Sequence, residues 1–139
     1  MSKAPSAKIL VVDDSKLAAK MIQDRLEAAG YAVRVAHNGV EGLAKIKAEV
    51  PDLIIADVVM PEMDGYEFCR RLRRYPATAH TPVIMLTSRG GITEKKKGFE
   101  AGADDYLVKP CSIHEIRKAV ATLLDPVAVR GGDTRRVGP

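Results

Sequence analysis

Five short apolar runs, each followed by a stretch of helical spacing, leave this chain few folds to choose from. The runs are Ile9–Val12, Tyr31–Ala36, Leu53–Ala56, Val83–Leu86 and Asp105–Val108. Three of them, I-L-V-V, L-I-I-A and V-I-M-L, are apolar without alternation, which is the pattern of central strands covered on both faces. The other two predict edge strands.

The segments between the runs carry helix signals. In Ser112–Leu124 the residues Ile113, Ile116, Val120 and Leu123 recur at helical spacing, and Ser112 with Glu115 forms an S-x-x-E capping box. Asp64 with Glu67 is a similar start for a helix burying Phe68 and Leu72. A first helix has Ile22, Leu26 and Ala29 as its core stripe and stops at Gly30; another runs from Gly39 through Leu43 and Ile46 to Ala48, and a fourth ends near Gly102. Five βα units in a row, joined by right-handed crossovers, give an α/β fold. The prediction is a flavodoxin-like three-layer sandwich, a five-stranded parallel sheet with five helices.

At 139 residues, 46% of them hydrophobic and 29% charged, the chain suits one domain with one substantial core. We expect that domain over 8–125, a disordered N-terminus over 1–7, and a flexible tail or the start of a linker over 126–139. The net charge of +4 comes from scattered groups, Arg70, Arg71, Arg73 and Arg74, then Lys95, Lys96 and Lys97, then Arg130, Arg135 and Arg136. They read as solvated faces and a basic tail, with no nucleic-acid reading motif beside them. Cys69 and Cys111 lie far apart and fit no metal-ligand spacing, so a reducing cytoplasm is expected. No apolar run approaches the roughly 20 residues of a membrane-spanning helix, and Met1 to Ala7 do not resemble a secretory signal. His37, His80 and His114 are separated and read as surface residues.

In an open parallel sheet, ligands bind at the carboxyl ends of the central strands, where the strand order reverses. There the sequence places Asp13 and Asp14, then Asp57, then Thr87 and Ser88, with Lys109 and Pro110 after the last strand. Three converging carboxylates repel one another, and a hard divalent ion removes the conflict. Magnesium suits two carboxylates, a backbone carbonyl and waters. A glycine-rich phosphate-cradling turn is missing after the first strand, where V-D-D-S stands instead, which counts against dinucleotide or P-loop binding. Asp57 at a rigid strand end, with other acids and a lysine beside it, is a candidate nucleophile forming an aspartyl-phosphate. Lys109 would bring positive charge and Thr87 a hydroxyl to the phosphoryl oxygens. A cis bond between Lys109 and Pro110 would aim the lysine inward. Plainer roles stand beside these: Asp13 and Asp14 capping a helix, Thr87 capping a turn, Tyr106 packing at an edge.

The four motifs I-L-V-V-D-D-S (Ile9–Ser15), D-V-V-M-P-E-M-D-G (Asp57–Gly65), P-V-I-M-L-T-S (Pro82–Ser88) and G-A-D-D-Y-L-V-K-P (Gly102–Pro110) resemble, in order and spacing, the response-regulator receiver domains of bacterial two-component signalling, including the chemotaxis regulators. The resemblance covers Lys8 to Leu124. It implies the strand order 2-1-3-4-5, and transfer of a phosphoryl group to Asp57 from a phosphohistidine of a sensor histidine kinase or phosphotransfer protein. It further implies Mg2+, with Mn2+ as an alternative, held directly by Asp14 and Asp57 and by the Val59 carbonyl, with Asp13 acting mainly through water. Thr87 and Tyr106 would be the switch pair, Lys109 the phosphoryl clamp, and Val59 and Arg89 the positions that tune phosphoryl lifetime. The 95–124 face would dock a downstream protein or output domain, or a second copy after phosphorylation. Cys111 and Gly90-Gly91 depart from the family pattern without touching the chemistry.

An enzyme of the haloacid-dehalogenase type also uses an aspartate nucleophile and magnesium, but it wants a second acid two residues on, where Val59 stands. That favours a switch over turnover of an external substrate. A phosphorylation-independent scaffold would be signalled by loss of an acid or of Lys109, and none is lost.

Overall fold

The computed structural model describes residues 6–125. Its elements run β1 (Lys8–Val12), α1 (Lys16–Ala28), β2 (Ala32–Ala36), α2 (Gly39–Ala48), β3 (Leu53–Ala56), α3 (Gly65–Arg74), β4 (Val83–Thr87), α4 (Ile92–Ala101), β5 (Asp105–Val108) and α5 (Ile113–Leu124). All strand pairs are parallel, in the order β2-β1-β3-β4-β5. The three runs without alternation are the central strands, as their composition requires. The tail expected over 126–139, like most of the N-terminus expected over 1–7, lies outside the described residues. The Ala7 carbonyl accepts a hydrogen bond from the Ala32 N–H at 2.9 Å.

Successive strand residues point to opposite faces, and this splits the interior in two. Ile9, Val11, Leu53, Ile55, Ile84 and Leu86 meet α1 and α5 on one side. Leu10, Val12, Ile54, Ala56, Val83 and Met85 meet Phe68, Leu72, Ile46 and Ala101 from the other three helices on the opposite side. Phe68 is fully buried, and truncating such a ring to alanine costs on the order of 3–5 kcal/mol.

The helix starts follow from local side chains. Ser15, Asn38 and Asp64 accept from the N–H groups of Ala18, Glu41 and Glu67, and Ser112 and Glu115 form the reciprocal box at α5. α4 differs: Gly91, at φ +101°, opens it with no side-chain cap. It closes on Gly102 at φ +111°, a left-handed stop that glycine adopts cheaply.

Two expectations need correction. The buried stripe of α1 is Ala19, Ile22 and Leu26; Ala29 is the cap beyond the last turn, where the backbone leaves the core. Arg73 is not on a solvated face: α3 turns it toward the loop before β5, where its guanidinium meets the carbonyls of Thr78, Thr81 and Gly102 and the carboxylate of Asp104. His37 is partly exposed, with Nδ1 3.7 Å from the Glu41 carboxylate, while His80 and His114 are exposed. Among the described residues, no helix is long and apolar enough to cross a membrane.

Candidate phosphoacceptor site

The ladder hydrogen bonds continue one residue past the ends of β1 and β3. The Asp13 N–H donates to the Ala36 carbonyl at 3.0 Å and the Asp57 N–H to the Val12 carbonyl at 2.9 Å. Both aspartates therefore leave the sheet on fixed backbone, side by side on adjacent strands at the point where the strand order reverses. The Lys109 N–H donates to the Thr87 carbonyl at 2.7 Å, which ties the loop after β5 to the end of β4. The Lys109–Pro110 peptide bond is cis.

Lys109 Nζ reaches Asp13 Oδ2 at 2.9 Å and Asp57 Oδ2 at 3.3 Å. The remaining oxygens face backbone donors: Asp13 Oδ1 accepts from the Ser15 N–H at 2.9 Å and Asp57 Oδ1 from the Val59 N–H at 3.1 Å. Asp13 is 2% exposed and Asp57 9%, while Asp14 stands in solvent at the rim. Burial pulls the Lys109 ammonium toward its neutral form, but the hydrogen bond and charge of Asp13, followed by the charge of Asp57, outweigh it and hold its pKa above the ordinary lysine value.

One oxygen from each of Asp13, Asp14 and Asp57 lies within 4.8 Å of the others. Three carboxylates against one ammonium leave negative charge in excess, and every donor in the cluster is a hard oxygen. Such a set of hard oxygens can coordinate a divalent cation. The helix-capping role weighed for Asp13 and Asp14 falls to Ser15.

Thr87 is fully buried at the end of β4, and its Oγ1 accepts from the Arg89 N–H at 3.2 Å. The Arg89 carbonyl accepts from the Tyr106 hydroxyl at 2.6 Å. The ring of Tyr106 faces inward, 5% exposed, and lies against Gly98 so closely that a Cβ there would stand 2.6 Å from its Cδ2. Val59 and Arg89 flank the site, both exposed.

Three participants were not foreseen as individual residues. Gly65, read only as part of a motif, packs so tightly under the site that a Cβ would stand 2.3 Å from the Asp57 carbonyl oxygen. Tyr66 and Glu94 lie beside Tyr106 and carry no motif of their own; the one available signal was an aromatic residue immediately after a glycine at a helix start.

The family profile of the response regulator receiver domain matches residues 9–121. The DNA-binding dual master transcriptional regulator RpaA of Synechocystis is 40% identical over 137 residues, covering 95% of this chain and 57% of its own. The response regulator MprA of Mycobacterium tuberculosis is 41% identical over 119 residues, 86% of this chain and 51% of its own. The chain thus spans about half the length of the curated relatives it matches. Among solved structures, the chemotaxis response regulator CheY4 of Vibrio cholerae superposes with a TM-score of 0.81 at 38% identity, over 85% of this chain and 98% of its own.

Proposed function

The chain belongs to the response regulator receiver domain family, and from that membership we propose that it is a cytoplasmic phosphoacceptor switch whose acceptor is Asp57. The observation that carries this reading is the ammonium of Lys109 bridging Asp13 and Asp57 beside Asp14, at the reversal point of the sheet.

An Asp57 carboxylate oxygen attacks the phosphorus of a phosphohistidine on a sensor histidine kinase or phosphotransfer protein. The P–N bond breaks, its electron pair returns to the imidazole, and an aspartyl-phosphate remains. Asp13, Asp14 and Asp57 would hold Mg2+, or Mn2+ in its place, with the Val59 carbonyl as a further ligand; the ion supplies neutralising charge for the phosphoryl oxygens. Lys109 exchanges part of its contact with Asp57 for the incoming phosphoryl group, and the Thr87 hydroxyl turns toward it. An apolar groove bordered by Met21, Pro110, Cys111 and Ile113 runs up to Lys109 and offers a phosphodonor protein a surface to rest on.

The same site catalyses its own phosphorylation and its own hydrolytic reset, at a rate tuned by what Val59 and Arg89 present to the attacking water. With Val59 where a phosphohydrolase carries a second acid, turnover of an external substrate is disfavoured. The 95–124 face would pass the change to a downstream protein, an attached output domain or a second copy of the chain. Nucleic acid would be contacted by an output domain and not by this one.

The test is intact mass after treatment with acetyl phosphate and Mg2+, alongside Asp57→Asn and a chelated sample. A single phosphoryl adduct only in the unmutated, metal-containing sample supports the reading. An unmutated protein that gains no adduct and binds no beryllofluoride overturns it.

A further inference from the structure

Tyr66 and Glu94 form a bond between α3 and α4 directly beside the Tyr106 ring. The Tyr66 hydroxyl lies 2.7 Å from Glu94 Oε1, 3.1 Å from the Glu94 carbonyl and 3.2 Å from the Tyr106 hydroxyl. Both rings are buried, Tyr66 at 7% exposure and Tyr106 at 5%.

A proton count orders these contacts. Two hydroxyls carry two protons. Burial raises both phenol pKa values; for Tyr66 the hydrogen bonds to Tyr106 and Glu94 raise it further, so both protons stay in place. The Tyr106 proton is committed to the Arg89 carbonyl at 2.6 Å. Only the Tyr66 proton remains, facing three acceptors: the Glu94 carboxylate at 2.7 Å, the Glu94 carbonyl at 3.1 Å and the Tyr106 oxygen at 3.2 Å. The carboxylate takes the larger share, because a charged acceptor at shorter range makes the stronger bond. In keeping with this, the hydrogen bond from Tyr66 leads the causes that hold the Glu94 carboxyl below its ordinary range.

This bond fastens the first turn of α4 to α3, where the helix has no cap of its own. Gly91 gives the helix no side-chain cap, and Ile92 at its first turn is exposed. Gly98, one turn beyond Glu94 on the same helix, is the residue pressed against the Tyr106 ring. We propose that Tyr66 and Glu94 are positioning residues of the switch: their hydrogen bond latches α4 onto α3, holds Gly98 over the Tyr106 ring and favours the inward position. The proposal rests on the switch reading of Tyr106. It adds a contact between two helices that sets the balance of that switch in this chain.

The test places 3-fluorotyrosine at position 106 and follows its fluorine resonance, with a soluble paramagnetic agent to report exposure. Tyr66→Phe and Glu94→Ala are each expected to move the resonance toward the exposed position, while the urea midpoint shows both variants folded. Tyr66→Phe removes the carboxylate bond together with the contacts to the Glu94 carbonyl and the Tyr106 hydroxyl, so the double variant should move it no further than Tyr66→Phe alone. By reciprocity of coupling, each single variant should also weaken Mg2+-dependent beryllofluoride binding by about fivefold, the scale of one ordinary hydrogen bond, with Mg2+ binding alone unchanged. Resonances that stay buried in both folded variants, or effects that add in the double variant, overturn the proposal. The fluorine readout needs no phosphoryl chemistry, so an unmutated protein that binds no beryllofluoride removes the phosphoacceptor reading while the ring position still decides the latch.

Discussion

The guanidinium of Arg73 and the carboxylate of Asp104 meet at 3.1 Å across the end of α3 and the loop before β5, with both side chains largely shielded from water. Arg73 also donates to the carbonyls of Thr78, Thr81 and Gly102, and Asp104 accepts from the Val83 N–H at 2.9 Å. The pair therefore joins the end of one helix, the approach to a central strand and the stop of another helix. Arg73→Ala leaves a shielded carboxylate and three carbonyls without this donor and should cost about 2–4 kcal/mol, read as a lower urea midpoint at unchanged slope. Arg73→Lys, a point charge without the planar fork, should recover less than half of that.

Gly65→Ala should be more damaging than its single added carbon suggests. The Cβ would stand 2.3 Å from the Asp57 carbonyl oxygen and 2.8 Å from the Val58 Cα, both backbone atoms that cannot swing aside. We expect a loss of about 2–3 kcal/mol, seen as a lower thermal midpoint. Asp57 itself must shift, so phosphorylation by acetyl phosphate should slow at least about tenfold.

Lys109→Ala should separate metal binding from phosphoryl chemistry. Removing the ammonium that touches Asp13 and Asp57 raises the negative charge of the cluster, so Mg2+ or Mn2+ should bind as tightly as before or tighter. Phosphorylation should nevertheless fall by about two orders of magnitude, because the charge proposed to face the phosphoryl oxygens is gone. Titration of Mn2+ by electron paramagnetic resonance, beside intact mass after acetyl phosphate, checks both halves. Asp13→Asn should show the opposite pattern at the metal, with weaker binding.

Alkaline pH should weaken the fold from about pH 9 upward. Burial pushes the Cys69 thiol up to about 11, so between the ordinary thiol value and that point the unfolded chain gives up a proton that the native chain keeps. Stability falls as pH rises through that window, by about 2 kcal/mol for this group. The raised phenols of Tyr66 and Tyr106 act in the same direction at higher pH, and the raised Lys109 loses its contribution as pH climbs through its folded value. Urea unfolding at steps between pH 8 and 11 should show the decline, and Cys69→Ala should delay its onset while lowering the neutral-pH baseline through the cavity it leaves.

The fold could be read from the chain because its signals are local. Apolar runs such as L-I-I-A have only one sensible home, between two helical layers, and the caps at Asp64 and Ser112 announce the helices they start. Asp13, Asp57 and Lys109 could be placed together because each directly follows a strand whose end the same runs define. Arg73 could not, since four neighbouring arginines look alike in sequence and only the phase of α3 decides which one turns inward. Tyr66 and Glu94 were hidden for a related reason: their bond joins residues 28 apart on two helices, and an aromatic residue after a glycine at a helix start says nothing about its partner.

The division of the interior by the sheet has a mechanical meaning. Tyr106 belongs to the cluster shared with α2, α3 and α4, whereas the cluster under α1 and α5 holds no part of the latch and no inward-turning ring. A displacement from Thr87 through Tyr106 to α4 would lie on one flank of the sheet. The groove beside Lys109 is lined from the other flank, by Met21 and Ile22 of α1 and Ile113 and Ile116 of α5, so a phosphodonor resting there and a partner reading α4 would touch opposite sides of the sheet.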